Sequence, residues 1–142
     1  MADFNKAYKR IEKSEGGYVN DPNDKGGETY KGISRKYHQD SEIWKIIDDV
    51  KMEHGTKGLT SILAYNERLQ ELVKEIYKKE YWDVFKLESC PSQDLASEIF
   101  DDAVNRGVSS ACKILCDTIG IPRVNYPDDR LFNIIANYGK RK

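Results

Sequence analysis

Apolar residues recur along this chain at helical spacing far more often than at strand spacing. Phe4, Ala7, Tyr8 and Ile11 stand at i, i+3, i+4 and i+7, which predicts one apolar face of a helix over residues 4–14. Gly16 or Gly17 is its natural stop. Ile43, Trp44, Ile46 and Ile47 form a second apolar run that ends near Met52, and EHGTKG (53–58) interrupts it with glycines. Trp44 reads either as a core anchor or as a ring for stacking on a sugar, the core being the stronger reading. From Thr60 to Trp82 the pattern is longest, with Leu69, Leu72, Val73, Ile76 and Tyr77 on one face and charges on the other, so one long helix is expected there. Ser92 is the expected N-cap of a central buried helix carrying Leu95, Ala96, Ile99, Phe100, Ala103 and Val104. Two more helices follow, 108–119 stopped by Gly120, and one starting at Asp128-Asp129 with Gly139 as its C-cap. Ile33 to Tyr37 reads as a short helix. No segment sustains period-two alternation, so the fold class is mainly α with at most a small hairpin around Tyr18 to Thr29.

One stretch fits no core element: SEGGYVNDPNDKGGETYKGIS, residues 14–34. Its glycine pairs predict turns bracketing a short extended piece, so its carboxylates ride on bends. Glu15 falls at the last turn of the first helix, where the partial negative charge of the helix end disfavours an ionised carboxylate. Asp24 follows nine positions later and Thr29 five after that. An acid, a second carboxylate and a hydroxyl able to hold water are the inventory for cleaving a glycosidic bond. A surface loop rich in Asp, Asn and Gly is the competing reading. Tyr18 and Tyr30 each offer a ring face and a hydroxyl suited to sugar, in a loop that closes over saccharide. Alternatively Asp21 and Asn23 bond the backbone and hold the loop preformed.

The wording of the stretch narrows this. Glu15-Gly16-Gly17-Tyr18-Val19-Asn20-Asp21-Pro22, with Asp24, Gly26-Gly27, Thr29 and Gly32-Ile33, resembles the signature of the glycoside hydrolase family 108 lysozymes. That family comprises N-acetylmuramidases and includes secretion activator proteins and phage endolysins. Tyr81-Trp82-Asp83, then Phe100-Asp101, Ala103-Val104-Asn105 and Gly107, resemble its downstream segments in the same order. The resemblance implies a lysozyme-like helical domain with a long central helix and a Gly-rich active-site loop or small hairpin. It implies cleavage of the β-1,4 bond between N-acetylmuramic acid and N-acetylglucosamine. Glu15 is then the catalytic acid, and the similar spacing in phage-type lysozymes suggests Asp24 and Thr29 as its partners. Tyr18, Asn20, Tyr30 and Asn105 become candidate substrate contacts, Asn105 equally a brace for the Glu15 loop. Glu28 and Tyr30 stand where the family usually has Pro and Asn, a departure that bears on the sugar contacts of this loop.

At 142 residues the length suits a single lysozyme-like domain over 1–142, with about 88–142 matching a shortened or diverged C-terminal peptidoglycan-binding region. A net charge of −1 with 33% charged residues gives no reason to expect nucleic acid or a membrane surface as partner. The start, MADFNKAYKR, lacks an apolar signal region and no long apolar span occurs. A protein made in a bacterial or phage-infected cytoplasm and acting at the cell wall after holin-type export is therefore expected. Its partner is the peptidoglycan glycan strand and its state a monomer. Cys90, Cys112 and Cys116 read as buried small hydrophobes, without the fourth ligand that zinc wants. No metal or cofactor is expected. The competing function is a glycan-binding or secretion-accessory protein that keeps a lysozyme-like fold without cutting.

Overall fold

The structure, a computed structural model, describes residues 1–12, 16–23 and 27–139. Among them are seven α-helices and one three-stranded antiparallel sheet, and the chain divides into two compact units. A terminal unit comprises Met1–Glu12 with Tyr77–Lys142, and a hairpin unit comprises Lys13–Ile76.

In the terminal unit, α1 (Phe4–Glu12) buries Phe4, Ala7, Tyr8 and Ile11, the four positions its periodicity marks. A π-helical turn (Lys78–Trp82) and two 3-10 turns (Asp83–Phe85, Leu87–Ser89) lead to α5 (Gln93–Arg106), α6 (Val108–Ile119) and α7 (Asp129–Ala136). Ser92 caps α5 by accepting from Leu95 N at 3.1 Å, and Asp128 caps α7 by accepting from Leu131 N at 3.0 Å. Helix α5 packs against both α6 and α1. Phe4, Trp82 and Phe100 meet edge to face, with centroids 5.5 Å apart for Phe4–Trp82 and Phe4–Phe100 and 5.9 Å for Trp82–Phe100. Each such aromatic pair contributes about 0.5–1.5 kcal/mol beyond its burial. Trp82, Phe100 and Ala103 are thus core residues of this unit. All three cysteines are free and buried, as expected, and burial pushes the Cys112 thiol up to about 11. Helix α7 stops a turn before its expected cap at Gly139, which leaves Tyr138 half exposed.

In the hairpin unit, β1 (Tyr18–Asn20), β2 (Glu28–Tyr30) and β3 (Ile33–Ser34) pair antiparallel in that order, with Val19 opposite Thr29 and Thr29 opposite Ser34. Strand β3 replaces the helix expected at Ile33 to Tyr37. Lys31 (φ 48°) and Gly32 (φ 79°) are both left-handed, the geometry of a type I′ turn, which returns the chain beside β2 instead of letting it coil. Helix α2 (Glu42–His54) is capped by Ser41 and buries Ile43, Trp44 and Ile47. The helix expected from Thr60 to Trp82 is divided into α3 (Leu59–Ala64) and α4 (Glu67–Tyr77), the latter running on into the π-helical turn. Asn66 makes the break, because its Oδ1 accepts from Leu69 N at 2.9 Å and supplies a new N-cap within the periodic stretch.

Candidate functional site

Two of the expected catalytic residues, Glu15 and Asp24, lie outside the described residues. Thr29 occupies the middle of β2. Because side chains alternate along a strand, Thr29 shares one sheet face with Val19 and Ser34, while Tyr18, Asn20, Glu28, Tyr30 and Ile33 share the other. The hairpin therefore parts Thr29 from three residues expected to join it. Thr29 is half-buried beside exposed Val19, Asn20 is exposed at the end of β1, and Asn105 is exposed in the last turn of α5. At the loop start, Asp21 Oδ1 accepts from Asn23 N at 2.9 Å, a side-chain-to-backbone bond typical of an Asx turn.

Tyr30 requires a correction. Expected as a sugar contact, it is 0% exposed, and its hydroxyl accepts from Gln70 Nε2 at 2.9 Å. Gln70 also donates to Leu63 O at 3.0 Å and accepts from Lys31 Nζ at 2.7 Å, so one amide ties the β2–β3 turn to α3 and α4. Alternation explains the burial, since the face that carries Tyr30 also carries Ile33, which is likewise buried.

Glu28, on the same face, is the centre of a charged cluster. Its Oε2 accepts from the Tyr18 hydroxyl and from Lys51 Nζ at 3.0 Å, and its Oε1 accepts from Arg35 Nη1 at 3.0 Å. Lys51 also donates to the Tyr18 hydroxyl at 3.0 Å, and Arg35 donates to Asp48 Oδ1 at 2.7 Å. The Arg35 guanidinium further lies 5.3 Å from the Trp44 ring centre. Burial alone would raise Glu28, but the bonds from Tyr18, Lys51 and Arg35 outweigh it and hold the carboxyl below its ordinary range. Burial, then the bond to Glu28, pushes the Tyr18 hydroxyl up, so it stays protonated. A carboxylate held ionised cannot deliver a proton, and a phenol held protonated is no nucleophile. Glu28 and Tyr18 fix the hairpin to α2. Sequence reading noted Glu28 only as a family departure; Asp48 and Lys51 at i, i+3 on the polar face of α2 were the available signal for its partners.

Gly17 has a separate role. Its backbone passes so near α3 that a Cβ would lie 2.2 Å from Thr60 Cγ2, and Thr60 Oγ1 accepts from Tyr18 N at 3.1 Å. An open cavity of about 600 Å³ lies along α2, with Arg35, Ser41, Trp44, Lys45 and Asp48 among its lining. Trp44 itself is 1% exposed and belongs to the core. Among the described residues no group of three His, Cys, Asp or Glu is arranged to hold a metal ion, and no helix is long and apolar enough to cross a membrane.

A mainly helical chain with a small three-stranded sheet has the architecture of a lysozyme-like domain. The chain belongs to the glycosyl hydrolase 108 family, whose model matches residues 8–107. Its fold is similar to that in the structure of Brucella abortus SagA, with a TM-score of 0.57 and 22% identity over 96% of this chain and 70% of that one. No curated protein matches it.

Proposed function

We propose that this protein is a peptidoglycan hydrolase that cleaves the β-1,4 bond between N-acetylmuramic acid and N-acetylglucosamine. The observation that carries the reading is the family match across 8–107, which takes in Glu15, Asp24 and Thr29 in one span. Glu15 donates its proton to the glycosidic oxygen as the bond to the anomeric carbon breaks. Asp24 takes a proton from a water held by Thr29, and the water oxygen bonds to that carbon from the opposite face, inverting it. Tyr18, Asn20 and Asn105 remain the candidate sugar contacts, Tyr18 by its ring face because its hydroxyl is engaged. The glycan strand is the substrate, reached by holin-type export.

The test is turbidity loss of purified peptidoglycan together with the reducing ends released. General acid catalysis contributes about 10²- to 10⁴-fold, so Glu15→Gln is expected to lose at least that lower factor while keeping its fold. A folded Glu15→Gln protein retaining more than roughly a tenth of the rate would remove Glu15 from this role. Wild-type protein that binds peptidoglycan and releases no reducing ends would instead make it a glycan-binding protein. Inversion is read by NMR from the first-formed anomer, and an initial β product would exclude it.

A further inference from the structure

We propose that Glu28, with Tyr18, Lys51, Arg35 and Asp48, is a positioning clamp that sets the place of the strand bearing Thr29 against α2. The proposal rests on the hydrolase reading and adds positioning residues to it. Strands of three, three and two residues form few ladder bonds, and so short a sheet is marginal unless something packs it. Thr29 has both chain neighbours pinned from the face opposite its own. Tyr30 is held by Gln70 on α4, and Glu28 by Lys51 on α2 and by Arg35, itself bonded to Asp48 on α2. Arg35 N also donates to Glu28 O at 2.9 Å, so the backbone beside Thr29 is held as well as the side chain. The side-chain bonds to Glu28 are charge-assisted, the stronger kind, and its carboxylate side chain is only 13% exposed. Tilting β2 enough to displace the Thr29 hydroxyl would break several of them together. Reaction geometry is unforgiving, since a misplacement of about 1 Å can cost roughly 10²-fold in rate.

The experiment compares wild type with Glu28→Gln, Lys51→Met and Lys51→Arg by hydrogen exchange across residues 16–34 and by kcat and KM on peptidoglycan, with circular dichroism to confirm folding. Release of the clamp is expected to speed exchange in β1 and β2 by about tenfold or more in Glu28→Gln and Lys51→Met, with α5 unchanged. It is also expected to lower kcat by about tenfold with KM within roughly twofold, because Glu28 and Lys51, the positions changed, place Thr29 and are not among the proposed sugar contacts. Lys51→Arg, which keeps the charge and the donor, is expected to restore both. Unchanged exchange in the hairpin would overturn the clamp. A loosened hairpin with unaltered kcat would overturn its positioning role. If wild type proves inert on peptidoglycan, the hydrolase reading and the positioning role of Thr29 fall together, while the exchange data still decide whether Glu28 holds the strand.

Discussion

At the scale of single residues, the two glycines of the EGGY stretch separate into one that packing demands and one that it does not. A Cβ at Gly17 would collide with Thr60, whose hydroxyl is already committed to Tyr18 N, whereas a Cβ at Gly16 meets nothing within 4 Å. Gly17→Ala is therefore expected to destabilise by about 1–3 kcal/mol, as overpacking does, and Gly16→Ala to stay within about 0.5 kcal/mol. Urea melts of both variants check this, and equal effects would remove Thr60 as the cause. Tyr30→Phe is the matching test of burial against sugar contact. Losing its bond from Gln70 should cost about 0.5–1.5 kcal/mol and leave KM for peptidoglycan unchanged. A raised KM with unchanged stability would restore Tyr30 as a ligand contact.

At the scale of elements, local chemistry decides where helices begin and tertiary chemistry decides how far they run. Ser92 was legible as a cap, and Asp128-Asp129 as a helix start, because an N-cap needs only an acceptor a few residues before an apolar stripe. Ser92→Ala is expected to cost about 1 kcal/mol, measured by thermal or urea unfolding. The Thr60 to Trp82 stretch deceived because Asn66 interrupts it without interrupting the apolar period. Strand β3 deceived for a different reason. Lys31 holds a left-handed backbone that Gly or Asn usually supplies, and its Nζ is anchored on Gln70, 39 positions along the chain.

At the scale of the molecule, proton linkage gives the sign of the acid response. Bonding to partners places Glu28 and Asp48 below their ordinary values of 4.5 and 3.8, so the folded chain binds fewer protons there than the unfolded chain. Their stabilisation is present above those ordinary values and is lost as pH falls through the lowered ones. Asp101 runs the other way. Burial raises it despite Arg10 at 2.9 Å, and its Oδ1 is buried with no hydrogen-bond partner among the described residues. Its contribution favours the folded state as pH falls through its raised value. The melting temperature is thus expected to drop below about pH 4, more gently in Glu28→Gln, whereas Asp101→Asn is expected not to lower it at pH 7. Scanning calorimetry across pH 3–7 checks both, and an Asp101→Asn protein melting several degrees lower would show that the carboxylate stabilises the fold. By itself the sequence determined the helical class, the Ser92 cap, the buried cysteines and the family, because these follow from contacts a few residues apart or from an ordered motif. Of the candidate site it marked the stretch and its glycines. Only the tertiary structure decided that Tyr30 is core, that Thr29 faces away from Tyr18, and that Glu28 is clamped by Lys51 and Arg35. Strand alternation and charge pairing across 7 and 23 positions depend on register and on which helix face lies opposite, and neither is written in any local pattern.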